Sequence, residues 1–346
     1  MRSLLAVALA CGVLTGLPGA VDSQPGAPAI GDVFKKVLPS VAVIRAKGTE
    51  ISSQTGGIGS YKETGSGVLI SADGRVMTAA HVVHAMDEIA VEFLGSAPVP
   101  ARVVSSEPGA DLALLQLDSV PAGARVAVMA NSSKVEVGDQ VIVVGAPYGL
   151  SYSLTVGYIS ARHAPNTIYG AFPMAEFFQT DASINTGNSG GPIFNMAGEA
   201  VGIVSHIISK SGGSEGLGFV VTMNTARELL LERRAFWSGL EFYQLSERQA
   251  AVLNLPQPGG LMVKVVAKGS PADQAGLRPG TVPGMVDGKE MVLGGDILLA
   301  VDGIPVTEPN AMAKIRGRLA KVPPGSSIST RVLRLGKLID VPVRIP

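Results

Sequence analysis

From about Val33 to Thr222 the chain repeats one pattern: short apolar or alternating runs, rich in Val, separated by turn residues. Runs of that length and composition fit extended strands, in which every second side chain faces the same way, and are too short for helices with a core-facing stripe. They fall into two sets. "SVAVIRAK", "GSGVLIS", "RVMTAAHVV", "IAVEFL" and "ARVVSSE" form the first, about residues 33–118. "DQVIVVGAPYG", "LTVGYISAR", "EFFQTDAS", "GGPIFN", "EAVGIVSHII" and "GLGFVVTM" form the second, about residues 120–222. The similar strand spacing predicts two copies of one barrel. Within the first set, "GTEISSQTGGIGSYKETG" reads as a mobile loop.

The pattern then changes. "NTARELLLERRAFW" reads as a connecting helix over residues 224–236, capped by Asn224 or Thr225, with Leu229, Leu230 and Phe236 on one face. Residues 237–346 mix strands ("LEFYQL", "LMVKVVA", "DILLAVDG", "STRVLRL", "LIDVPVRI") with two helices, "PADQAGL" and "EPNAMAKIRGRLAKV", which predicts a third, α+β unit. "TVPGMVDGKEMVL" reads as an interruption of that unit between Gly280 and Gly294.

At the N-terminus one Arg precedes an apolar core, Leu4 to Leu17, followed by small residues and a Pro/Gly-rich exit. That is the order of a secretory signal peptide over residues 1–23, with cleavage near Ala20 to Ser23. The alternative is an uncleaved anchor, because the run approaches the roughly 20 residues that span a bilayer. Only in that case is a membrane a partner. The sole cysteine, Cys11, lies in this segment. A mature chain without disulfides is held by its cores alone, which suits a bacterial envelope compartment. Lys and Arg number 28 and Asp and Glu 28, with no basic run, which argues against nucleic acid as a partner.

"QTDASINTGNSGGPIF", Gln179 to Phe194, sets a Gly/Asn/Ser cluster between two apolar runs. By itself this is turn chemistry. Upstream, however, "MTAAHVVHA" places His81 at the end of a strand and "GADLALLQL" places Asp111 at the start of another. A serine hydroxyl is a weak nucleophile at neutral pH, so a histidine must take its proton as it attacks. A buried carboxylate on the other ring N–H then fixes the tautomer and stabilises the imidazolium. His81, Asp111 and Ser189 are therefore the candidate base, orienter and nucleophile. Glycines beside the serine let two main-chain N–H groups converge on a developing oxyanion.

The chain order of these three residues, with "TAAHVV", "DLALLQL", "QTDASINTGNSGGPIF", "GLGFVV" and the C-terminal "GSPADQAGLRPG" and "GGDILLAVDGIPV", closely resembles the HtrA/Deg family of envelope serine proteases. The resemblance implies a chymotrypsin-like domain over residues 24–236, built from two six-stranded antiparallel β-barrels, and a PDZ domain over residues 237–346. It implies a periplasmic serine endopeptidase acting on unfolded or misfolded proteins, assembled as a homotrimer through "GAPAIGDVFKKVLPSVAVI". Gly187 and Ser189 are the implied oxyanion donors, with Asn188 shaping the turn. Gly239 and Leu240, in "WSGLEF", are the implied contacts for C-terminal peptides at the PDZ groove. A chaperone or peptide-binding scaffold with little proteolysis is the alternative, because a backbone flip at Gly187 or Asn188 would dismantle the anion site. A maturation protease with one target is a third reading.

The resemblance also puts the floor of the specificity pocket at Ser183, six residues before the nucleophile. A substrate Lys or Arg would find no acidic partner there, so cleavage after Val, Ala, Ile or Leu is expected. His206, in "GIVSHII", is expected to wall the cleft, His163 to lie in a loop, and Asp181 to serve structure. His84 follows His81 by three residues, but no third ligand gathers with them, so neither a metal nor another cofactor is expected.

Overall fold

Strands β1 (Val41–Ile51), β2 (Ile58–Leu69), β3 (Arg75–Thr78), β4 (Glu88–Phe93), β5 (Val99–Glu107) and β6 (Leu112–Leu117) close on themselves in the order β1-β2-β3-β6-β5-β4, all neighbours antiparallel. Closure satisfies the edges that an open sheet would leave unpaired. The computed structural model describes residues 28–52, 55–149, 152–168, 172–209, 212–233 and 235–346. The expected leader and Cys11 lie outside them. β7 (Val128–Met129) precedes β8 (Gln140–Gly145), β9 (Ser153–His163), β10 (Phe177–Thr180), β11 (Pro192–Asn195), β12 (Glu199–Ile207) and β13 (Gly218–Thr222). These form a second antiparallel ring, β11-β8-β9-β10-β13-β12, closed by the pairing of β12 with β11, and β7 joins β12 in parallel outside it.

The continuous apolar runs have a packing cause. In β8, Val141 and Val143 fill the second barrel with Ile159, Phe178 and Val220, whereas Ile142 and Val144 join Val41, Met77, Leu114 and Phe219 in a core shared by both barrels. In β6, Leu112 and Leu114 face the shared core while Ala113, Leu115 and Leu117 fill the first barrel. A strand buried on both faces loses the polar half of its alternation.

Several expectations need correction. Residues 30–37 are a helix, α1 (Ile30–Val37), and the first strand begins at Val41. Val33 and Val37, four apart on one helix face, bury in the shared core, and Lys35 and Lys36 sit favourably in the last turn. The stretch read as a mobile loop is largely ladder, since β1 and β2 pair out to Ile51 and Ile58. After the one-turn α2 (Ala80–Val83), the next helix, α3 (Met223–Arg227), has Thr222 at its cap, continues as a π-helical turn over Glu228–Glu232 and stops before Phe236. Asn224 instead accepts the Ser132 N–H at 3.2 Å. Burial stops the helix: Phe236 packs into the C-terminal core and Trp237 against the first barrel, its indole N–H donating to the His84 carbonyl at 2.8 Å.

The C-terminal unit is a sheet of β14 (Leu240–Leu245), β15 (Gly260–Val266), β18 (Ile297–Val301), β20 (Ser327–Arg334) and β21 (Lys337–Arg344) in that spatial order, with β19 (Ile304–Pro305) on β18. The expected interruption is a hairpin, β16 (Val282–Val286) and β17 (Lys289–Leu293), turned at Asp287-Gly288 with both residues at positive φ. Besides the expected helices, α5 (Pro271–Gln274) and α6 (Ala311–Leu319), there is α4 (Glu247–Val252), opened by a Ser246–Gln249 capping box. This unit touches the first barrel at Lys268 N–H on Asp87 (2.8 Å) and at Arg316 on the buried Glu107 (3.3 Å).

Candidate active site

The turn before β11 is held from beneath. Ser66, fully buried on β2, donates its N–H to the Ser189 carbonyl at 2.8 Å and its hydroxyl to the Gly187 carbonyl at 2.7 Å, and accepts from the Ala146 N–H at 3.0 Å. Gly187 and Gly190 have φ of +99° and +80°, which a side chain would strain. A Cβ on Gly190 would also come within 2.1 Å of Thr78 Oγ1 and 2.7 Å of Ala79 N. The turn is thus pressed against Thr78, the last residue of β3, and Ala79, three and two residues before His81. The N–H groups of Gly187 and Ser189 carry no hydrogen bond among the described residues. Asn188 donates its N–H to the Asn185 carbonyl at 3.0 Å, and its buried Oδ1 has no partner among the described residues. Such an unpaired buried acceptor costs about 1–3 kcal/mol, here at the turn itself.

His81 lies in α2 and Asp111 follows a 3-10 turn, Pro108–Ala110, that Glu107 caps through the Gly109 N–H. Asp111 has φ 55°, a left-handed conformation that Asp tolerates. Its buried carboxylate accepts the His81 N–H at 3.1 Å, lies 2.9 and 3.0 Å from His81 Nδ1, and accepts the Ser205 hydroxyl. Nδ1 therefore carries the proton and Nε2 is left as the basic nitrogen. Burial alone would lower the His81 pKa, but the hydrogen bond and charge of Asp111, with Glu63 adding to them, raise it above the ordinary value. With 48% of the imidazole exposed, solvent screens part of that effect. The Ser189 hydroxyl points to the Ser205 carbonyl at 3.4 Å, and no hydrogen bond joins it to His81 among the described residues.

The other candidates, His206 excepted, have hydrogen-bond partners outside this group. Ser183 is exposed and its carbonyl accepts from Thr155 Oγ1 at 2.9 Å. Asp181 accepts the Tyr158 N–H at 2.6 Å. His163 lies at the end of β9, not in a loop, 3.2 Å from Gln179 Oε1. His84 is wedged under the C-terminal unit: Nε2 lies 3.1 Å from the Leu240 carbonyl and Nδ1 2.8 Å from Ser106 Oγ, and burial lowers its pKa. Gly239 has φ +77° and its carbonyl accepts the Ala267 N–H at 2.8 Å, while Leu240 N–H bonds Ser238 Oγ at 3.3 Å. His206 does join the site, beside Ser205. Sequence reasoning misses Ser66 and Ser205; the only signal for Ser205 is a hydroxyl in an otherwise apolar run.

A trypsin-like peptidase domain model matches residues 65–203. The chain is 35% identical over 294 residues to a probable periplasmic serine endoprotease DegP-like of Hahella chejuensis, covering 82% of this chain and 57% of that protein. It is 31% identical over 354 residues to the periplasmic pH-dependent serine endoprotease DegQ of Escherichia coli, covering 96% and 73%. The solved structure of the HtrA-type protease AlgW with decapeptide matches with a TM-score of 0.53 and 27% identity, covering 92% of this chain and 98% of that one. The chain spans 57% and 61% of the length of two DegP-like relatives that it matches.

Proposed function

Because the chain belongs to the HtrA/Deg family of serine proteases, we propose that it is an exported serine endopeptidase that hydrolyses peptide bonds of unfolded or damaged envelope proteins. One observation carries this reading: the buried Asp111 carboxylate meets His81 Nδ1 at 2.9 Å while the Ser189 turn packs against Thr78 and Ala79, just before that histidine. The Ser189 oxygen attacks the substrate carbonyl carbon as its proton passes to His81 Nε2. The imidazolium, stabilised by Asp111, gives that proton to the leaving amine, and water releases the acyl group by the same steps. The Gly187 and Ser189 N–H groups hold the oxyanion, on the far side of a turn shaped by Asn188. Before attack, Ser189 must rotate from the Ser205 carbonyl toward His81. That rotamer is also what favours the second reading, a peptide-binding scaffold with little proteolysis.

A fluorophosphonate probe separates the two, because it reacts only with an activated serine. Ser189 should be labelled, and the labelling rate should depend on pH in a stated direction. His81 must be neutral to accept a proton, and its pKa is raised. The rate should therefore be full at alkaline pH and fall as pH drops through a midpoint above about 6.5. Absence of labelling at every pH, with and without added C-terminal peptides, would leave the scaffold reading.

Cleavage after Val, Ala, Ile or Leu is proposed from the absence of an acidic side chain at Ser183, an exposed position six residues before Ser189, with His206 as a proposed wall. Peptide libraries should return those residues at the cleaved bond, and dominant cuts after Lys or Arg would overturn the assignment. Residues 237–346 are proposed as a PDZ domain, supported by Gly239 at positive φ beside the edge strand β14. A C-terminal peptide seated on Gly239 and Leu240 must displace the His84 and Ser238 contacts to Leu240. Homotrimeric assembly and an N-terminal export signal belong to the same proposal.

A further inference from the structure

Ser205 has one hydroxyl proton, and its neighbours decide where that proton goes. Ser205 Oγ contacts Asp111 Oδ2 on one side and lies 3.0 Å from His206 Nδ1 on the other. An ionised carboxylate can only accept, so the proton points at Asp111 and Ser205 meets His206 as an acceptor. His206 must then carry its own proton on Nδ1. Three rings hold the imidazole in place: Phe219 stacked at 5.1 Å with 11° between planes, Phe172 at 5.1 Å, and Phe177 edge-on at 5.5 Å. β12 bulges between Val204 and His206, the kind of irregularity that re-aims side chains beside a site.

We propose that His206 is a positioning residue for the triad, its Nδ1–H orienting and polarising the Ser205 hydroxyl that in turn holds Asp111. The inference rests on the proposed catalytic roles of His81, Asp111 and Ser189. Asp111 and His81 are the charged groups that act on His206. β10, β13 and the loop before β10 present Phe177, Phe219 and Phe172, with His163 against Phe219. Burial lowers the His206 pKa, so the ring is neutral where His81 titrates. Bonds in such a chain strengthen one another. Without the His206 donor, Ser205 donates more weakly, Asp111 keeps more charge for His81, and His81 holds its proton to higher pH.

The test compares His206→Phe with His206→Asn, whose amide N–H can stand in for Nδ1–H. His206→Phe should move the acid limb of kcat/KM up by about 0.5 pH unit and lower kcat with KM little changed, and His206→Asn should restore the limb. In a Ser205→Ala background, replacing His206 should shift the limb no further. An unmoved limb, or a raised KM alone, would leave His206 as a cleft wall and overturn the proposal; so would Asn behaving as Phe does. If neither variant folds, nitrogen NMR of the unaltered protein reads the tautomer directly. An Nε2–H form of His206 sinks the inference even where hydrolysis is intact, whereas an Nδ1–H form with no hydrolysis sinks only the protease reading.

Discussion

Ser189→Ala should abolish cleavage of an unfolded protein such as casein, with a loss of about a millionfold in kcat. The size follows from the division of labour. Without the hydroxyl no acyl-enzyme can form, and the oxyanion site and bound-substrate geometry can contribute only the residual rate over water. The fold should not notice. The Ser189 side chain makes a 3.4 Å contact to the Ser205 carbonyl, while the main-chain bond from Ser66 to its carbonyl, which holds the turn, survives the substitution. Thermal melting should therefore match that of the unaltered chain, and fluorophosphonate labelling should vanish. Cleavage retained at a hundredth of the original rate would place the nucleophile elsewhere.

Asp111→Asn should cost about ten-thousandfold in kcat with the architecture kept. Asp111 accepts from the His81 N–H, His81 Nδ1 and the Ser205 hydroxyl. An amide has one oxygen for those donors, and its NH2 group can only donate. Presented to Nδ1, that group forces the imidazole proton onto Nε2, where a lone pair is needed. Loss of the carboxylate charge also removes the main contribution that raises the His81 pKa, leaving Glu63, so the acid limb of any residual activity should move to lower pH. Asn adopts left-handed φ as readily as Asp, so the turn at φ 55° survives and circular dichroism should be unchanged. A rate within tenfold of the original would show that Asp111 does not orient the base.

The two barrels are legible because strands such as β6 and β8 bury both faces, which leaves continuous apolar runs of strand length. β4 and β9 keep the alternation of a strand with one face turned outward. The candidate site is legible in its residue types and chain order, since the chemistry demands a hydroxyl, an imidazole and a carboxylate. Ser66 and Ser205 are not legible. Ser66 reaches Gly187 across 121 positions of the chain and Ser205 reaches Asp111 across 94, so their roles exist only once the barrels meet. The connecting helix is misread because Phe236 and Trp237 are drawn into two different cores, which outweighs local propensity. The β16–β17 hairpin is a different failure, because its Asp-Gly turn is a strong local signal that the reading as an interruption passes over.

A protein with the proposed activity on unfolded chains must avoid being its own substrate. Because β6 and β8 each supply side chains to two cores at once, neither of these two strands can fray without disturbing the packing of both cores it serves. Main chain in these two strands is then exposed only when both cores open together. For the proposed protease, this shared packing keeps β6 and β8 from becoming cleavable one at a time.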